Sequence, residues 1–188
     1  MRSKDVPDAE LAARAQAGDR EAFGALVMRY AAQARRVARV VLGNPEDADD
    51  AAQDGFLAAL RHIGRYDPDR PFGPWLVRIV ANAAADRRRR RKVRQTEELS
   101  PLAASVAPGP LEVTDRRALR AALEQALAEL PERQRIAVVL FDVEGYSHAE
   151  IARVLSVPEG TVRSDVFHAR RALREPLAVW RTWKERDT

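Results

Sequence analysis

Apolar positions recur along this chain at steps of three and four residues, the spacing of one helix face. "DAELAARAQAG" is the first such stretch and closes at Gly18. Asp19 then stands as the cap of "REAFGALVMRYAAQARRVARVVLG", which Gly43 ends. Phe23, Leu26, Val27, Tyr30, Val37, Val40 and Val41 give that helix an apolar stripe. "NPEDADDAAQDGFLAALRHI" opens with Asn44 as cap and Pro45 at the first helical position, and Glu46 and Asp47 suit the positive helix end. "RYDPDRPFGP" reads as a loop, and a fourth helix is expected from near Pro74 through "RRRRRK". From Thr96 to Thr114 the periodicity stops, and "TEELSPLAASVAPGPLEVT", with three prolines, reads as a linker. Helix returns at about Asp115 with "RRALRAALEQALAEL"; Pro131 starts the next helix and Gly145 ends it. No strand pair and no internal repeat emerges, so the predicted class is all-α.

The last third has a more specific grammar. "SHAE" is a capping box, in which Ser147 caps the turn that Glu150 closes. Ile151, Ala152, Val154 and Leu155 are expected to pack inward, and "SVPEG" breaks the helix. In the helix that follows, Val162, Val166, Ala169 and Leu173 share one face, which turns Thr161, Arg163, Ser164, Phe167, His168 and Arg171 elsewhere. A short helix, a tight turn and a helix with a polar outer face is helix-turn-helix architecture, and Arg, Ser and Thr reach phosphates and base edges. Two amphipathic helices of an ordinary bundle would show the same spacing. Asp165 would repel DNA unless it faces away or meets a cytosine amino group.

Charge sharpens the division. Residues 1–94 hold 19 basic and 13 acidic side chains, residues 95–115 hold four acidic and no basic ones, and residues 116–188 hold 13 and 11. A basic block, an acidic linker and a mildly basic block suit a modular polyanion binder. At 188 residues the chain has room for one ordinary domain or two small ones, and 46% hydrophobic residues can form a core. With no cysteine there is neither a disulfide framework nor a thiolate metal site. "MRSKDVPDAE" has no apolar stretch of the secretory kind, and no apolar run approaches the roughly 20 residues that span a bilayer. A soluble cytoplasmic protein without membrane insertion is expected. Three histidines, and acidic groups mostly on one stripe, form no recognisable metal or nucleophile constellation. No catalytic residue, metal, cofactor or small-molecule substrate is therefore expected.

The first block carries two contrasting faces. Glu46, Asp47, Asp49, Asp50 and Asp54 cluster with no basic residue among them. Asp50, Gln53 and Asp54 share a side, while Phe56, Ala59 and Leu60 include the packing positions. Such a stripe repels DNA and meets either a basic protein partner or water. Gly55 inside this helix suggests close approach by another helix, since glycine there costs about 1 kcal/mol relative to alanine. On the fourth helix Trp75, Ile79, Asn82, Asp86 and Arg89 or Arg90 follow steps of three and four. Trp75 reads as a core aromatic, yet aromatic groups beside basic ones also form the platform on which unstacked bases sit. Seven of the eight residues from 87 to 94 are basic, a salt-sensitive grip on phosphates.

Together these motifs resemble the extracytoplasmic-function class of bacterial sigma factors. "EAFGALVMRY", "PEDADDAAQDGFLAAL" and "RPFGPWLVRIVANAAADRRRR" look like sigma region two; "LPERQRIAVVLFDVEGYSHAEIARVLSVPEGTVRSDVFHARRALRE" looks like region four. The resemblance implies two small helical domains, 1–94 and 116–188, joined by a flexible linker over 95–115. It implies that Asp50, Gln53 and Phe56 dock on the clamp of the β′ subunit of core RNA polymerase, and that the second domain meets the β flap. The first domain would recognise and melt the minus-ten element, holding the non-template strand with Tyr66, Trp75, Asn82, Asp86, Arg87, Arg89 and Arg90. The second would read the minus-thirty-five element, as duplex, with Thr161, Arg163, Ser164, Phe167, His168 and Arg171. It also implies an anti-sigma factor as inhibitor, able to hold the protein at the membrane. Asp165 and His168 depart from the family, which often has arginine there, and a neutral His168 would weaken a phosphate contact. Two other classes stay open on the residues alone. A stand-alone helix-turn-helix regulator would bind duplex DNA without polymerase; a nucleic-acid enzyme would need a constellation that the sequence lacks.

Overall fold

Local capping decides where most helices start and stop. The computed structural model describes residues 6–43, 47–97, 115–176 and 178, with 92, 94–97 and 115–117 by backbone only. Within these residues the chain is helical and has no strand: α1 Asp8–Gln16, α2 Arg20–Leu42, α3 Ala48–His62, a 3-10 turn Ile63–Arg65, α4 Phe72–Glu97, α5 Asp115–Glu129, α6 Glu132–Asp142, α7 His148–Leu155 and α8 Glu159–Arg174. The Asp19 side chain accepts from the amides of Glu21 and Ala22 at 2.9 and 3.0 Å, so α2 begins where the sequence reading puts it. Gly43 ends α2 in the left-handed region at φ 74°. Ser147 and Glu150 form the expected capping box.

Two boundaries differ from expectation. α4 begins at Phe72, two residues before Pro74, because a proline in the first turn gives up only an amide that has no helical partner. It runs on to Glu97, past the arginines and into the stretch read as linker. Asn44 and Pro45, expected to open the third helix, lie outside the described residues, and α3 begins at Ala48.

α2, α3 and α4 pack on one another around Leu26, Val37, Val41, Leu76, Val77 and Val80, with α1 laid along α2. The α3–α4 seam is unusually close. A Cβ built on Gly55 would stand 2.7 Å from Val80 Cγ2 and 3.0 Å from its Cα, which explains this interior glycine. Ala59 is buried, but Leu60 is 44% exposed and not a packing residue. It lies one position beyond the buried stripe, on the shoulder of the helix.

In the second half α6, α7 and α8 form the expected helix-turn-helix, with Ile151, Val154, Val162, Val166 and Ala169 inside. Ser156 carries the turn in the left-handed region at φ 56°. The two halves touch. α6 lies on α2 and α7 on α4, so one apolar cluster runs from Leu11 through Leu140 and Ile151 to Val166.

Candidate polymerase-facing and DNA-facing surfaces

The acidic stripe of α3 does not simply face water. Arg87 of α4 reaches across, with Nη2 2.6 Å from Asp50 and Nη1 3.3 Å from Asp54. Arg91, one turn on, lies 3.3 Å from Asp47. Gln53 stays exposed between them. Phe56 is half-buried against the core, whereas Leu57 and Leu60 are 55% and 44% exposed. The face thus offers carboxylates around an amide, edged by apolar side chains.

Next to this face, and sharing Asp54 and Arg87 with it, α3 and α4 form a groove of about 440 Å³. Asn82, Asp86 and Arg90 line it from α4, and Arg61 and His62 from the end of α3. Asn82, Asp86 and Arg90 therefore do share a face, as their spacing predicts. Arg61 and His62 went unnoticed in the sequence, although both stand in the last turn of α3, where cations are favoured. The arginine run divides among several directions. Arg87 turns to α3, Arg88 donates to the carbonyl of Val41 and pairs with Glu132, and Arg89 pairs with Asp86. Arg90 is exposed and makes no ion pair among the described residues.

Trp75 and Tyr66 lie elsewhere, in an aromatic cluster with Phe72. Ring centroids are 5.1 Å apart for Tyr66–Trp75 and 5.4 Å for Phe72–Trp75. Tyr66 is only 4% exposed. Its hydroxyl donates to the Arg70 carbonyl, and burial pushes its pKa up. Gln16 pins this corner by donating to the carbonyls of Ile63 and Tyr66 at 2.9 and 2.8 Å. Tyr66 therefore shapes the loop from beneath, while half-buried Trp75 presents an edge.

α8 sorts its side chains as its spacing demands. Val162, Val166 and Ala169 are buried; Arg163, Ser164, His168 and Arg171 are exposed; Thr161 is partly so. Phe167 is 62% exposed on the same outer face, its ring edge-to-face with His168 at 5.5 Å. Asp165 faces away. Its side chain is 5% exposed and accepts from Arg133 Nε at 2.5 Å and Nη2 at 3.2 Å, a clasp between α6 and α8. Beside Phe167 a cleft of about 700 Å³ is lined by Phe141, His148, Arg163, Arg170, Arg171 and Arg174. His148 stacks on Phe141 with centroids 4.4 Å apart, and the Arg170 guanidinium lies 5.0 Å from the Phe141 ring. His148, Arg170 and Arg174 were missed in the sequence, because their place on this face depends on how α6, α7 and α8 pack.

Residues 26–94 match the family model Sigma-70 region 2, and residues 120–173 match Sigma-70, region 4. The chain is 44% identical over 178 residues to the ECF RNA polymerase sigma factor SigM of Mycobacterium tuberculosis, covering 93% of this chain and 87% of that one. The chain belongs to the ECF RNA polymerase sigma factors. The ECF sigma factor SigW of Bacillus subtilis is 33% identical over 170 residues, covering 85% and 91%. The solved structure of CnrH in complex with the cytosolic domain of CnrY superposes with a TM-score of 0.70 at 31% identity, covering 92% of this chain and 97% of that one. This sigma factor is thus a transcription initiation factor rather than a catalytic enzyme, and it binds core RNA polymerase and promoter DNA. Among its described residues no group of three or more His, Asp or Glu could hold a metal ion, and no helix is long and apolar enough to cross a membrane.

Proposed function

We propose that the two halves divide the work of this sigma factor. Residues 1–94 dock on core polymerase and melt the minus-ten element; residues 116–188 read the minus-thirty-five element as duplex; residues 95–115 tether the two. The observation that carries this is the outward face of α8, where Arg163, Ser164, Phe167, His168 and Arg171 are exposed while Val162, Asp165, Val166 and Ala169 are buried. A helix so divided presents donors and an aromatic to a major groove and keeps Asp165 out of it, while Glu159 in its first turn pairs with Arg163. In the first half, Asp50 and Gln53 with half-buried Phe56 are the polymerase contact on the β′ clamp. Asn82, Asp86, Arg89 and Arg90 hold the non-template strand, and Trp75, beside the loop that leads into α4, meets it at a separate point. Tyr66 supports that loop, and Arg87 joins it when freed from Asp50 and Asp54. Unpairing costs a few kcal/mol per base, within reach of a pocket and stacking.

An anti-sigma factor holds the protein inactive in the cytoplasm or at the membrane; the CnrH–CnrY pair supports this regulation. Run-off transcription with purified core polymerase on a promoter library tests the whole. Promoter-dependent product is expected. Arg163→Ala should weaken use of the upstream element, and Asn82→Ala should slow opening of the downstream one. Absence of product together with absence of core binding refutes the proposal. Failure of pre-opened DNA to rescue Asn82→Ala refutes the melting role.

A further inference from the structure

The contact between the halves is specific. Glu144, just beyond α6, is 3% exposed at its side chain. It accepts from Gln33 Nε2 at 2.8 Å and from Arg36 Nε and Nη2 at 2.7 and 3.0 Å, both on α2. All its partners thus lie in the other half, more than 100 residues away in sequence. Tyr146 follows, its hydroxyl donating to Gln33 Oε1 at 3.1 Å. Arg88 pairs with Glu132 and Arg39 with Glu124 along the same seam. A charged carboxylate enclosed with a bidentate guanidinium and an amide is a directional clasp, not a chance surface pair.

What the clasp covers gives it meaning. Tyr146 and Glu150 close a cavity of about 380 Å³ whose other walls include Tyr66, Arg70, Phe72 and Gly73. Of the residues proposed above to meet the melted strand, this cavity includes Tyr66, in the loop that Trp75 adjoins; the groove of Asn82, Asp86 and Arg90 lies apart from it. The Tyr146 hydroxyl sits so near Gly73 that a Cβ there would stand 2.7 Å away. A nucleotide approaching the loop would meet a tyrosine ring and, in Glu150, a carboxylate that repels phosphate.

We propose that the free sigma factor holds itself closed. The clasp of Glu144 and Tyr146 on Gln33 and Arg36 seats the helix-turn-helix over the strand-holding loop, so single-stranded DNA must compete with the protein's own second domain. The proposal rests on the strand-holding role given to that loop. Closure lowers the apparent affinity by the fraction of open molecules, and breaking the clasp restores it. The linker makes this competition intramolecular and therefore effective without any partner.

Because the chain has no cysteine, Arg20→Cys and Arg153→Cys carry a unique label pair. Distances between the labels in the full-length protein should be short and narrow, then longer and broader in Glu144→Gln. Gly73→Ala, which displaces Tyr146 from the opposite side, should act likewise. Binding of a 12-nucleotide single-stranded DNA pool of random sequence should tighten about tenfold in both variants if nine molecules in ten are closed. A broad distance unchanged by either substitution overturns the closed state. Opened distances with unchanged, measurable affinity overturn the masking. If no variant binds the pool although the distances open, the strand-holding role fails and the closed state stands.

Discussion

Replacing Gly55 by alanine tests whether the α3–α4 seam sets the geometry of both working faces of the first domain. By helix propensity alone the change should stabilise α3 by about 1 kcal/mol. The structure opposes this. The new Cβ would meet Val80 Cγ2 at 2.7 Å and Cβ at 3.2 Å, and Val80 Cα, a backbone atom, at 3.0 Å. A valine in a helix is held near one χ1 rotamer, so Cγ2 cannot swing aside, and the two helices must part by a few tenths of an ångström. Overpacking of this kind costs about 1–3 kcal/mol; against the propensity gain of about 1 kcal/mol, a net loss of up to about 2 kcal/mol is expected. With one apolar cluster running through both halves, each kcal/mol moves the melting midpoint by roughly 2–4 °C, so Tm should fall by up to about 8 °C by circular dichroism. Gly24→Ala is the matched control. Gly24 lies inside α2, is exposed, and has nothing within 4 Å of a built Cβ. It should gain about 0.5–1 kcal/mol. Equal signs for the two substitutions, or a Gly55→Ala protein at least as stable as the parent, would refute the reasoning. Because α3 carries the acidic face and α4 the groove, Gly55→Ala should also weaken polymerase binding and melting together.

Asp165→Ala should destabilise by about 2 kcal/mol in urea titration, because it removes a buried acceptor while Arg133 keeps access to water; a change under about 0.5 kcal/mol would show that the clasp contributes nothing. Arg90→Ala should lower the salt slope of DNA binding by about 1, and Arg88→Ala, tied to Val41 and Glu132, should leave the slope unchanged; equal slopes for the two would contradict the directions assigned to the arginine run. The closed arrangement should also have an acid limit. Burial by itself pushes the Glu144 carboxyl up, but the bonds from Arg36 and Gln33 outweigh it and hold the group below its ordinary value. A lowered value means the stabilisation is complete above the ordinary glutamate value of 4.5 and fades as pH falls through the depressed one. Label distances constant from pH 6 to 8 and lengthening only in acid are expected; opening within the neutral range would exclude Glu144 as the clasp.

Much of this molecule is written in short-range chemistry, and that part is legible from the residues in order. Asp19, Gly43, Ser147 with Glu150, and Gly145 act on backbone groups within a few positions of themselves, so helix starts and stops follow without a fold. The division of α8 into buried and exposed sides follows from 3.6 residues per turn, and Gly55 announces a close neighbour without naming it. The tertiary structure alone decided what depends on a partner from a distant segment. Asp165 is kept off the exposed face of α8 because Arg133, 32 residues earlier, holds it. Arg87 faces the carboxylates of α3 rather than solvent, because the seam brings Asp50 and Asp54 within reach. Tyr66 lies beneath its loop because Phe72 and Trp75 fold over it. The seating of one half on the other joins an apolar seam to the clasp of Gln33, Arg36 and Glu144, which no periodicity connects, since the energy of that clasp exists only once two surfaces far apart in the chain are desolvated together.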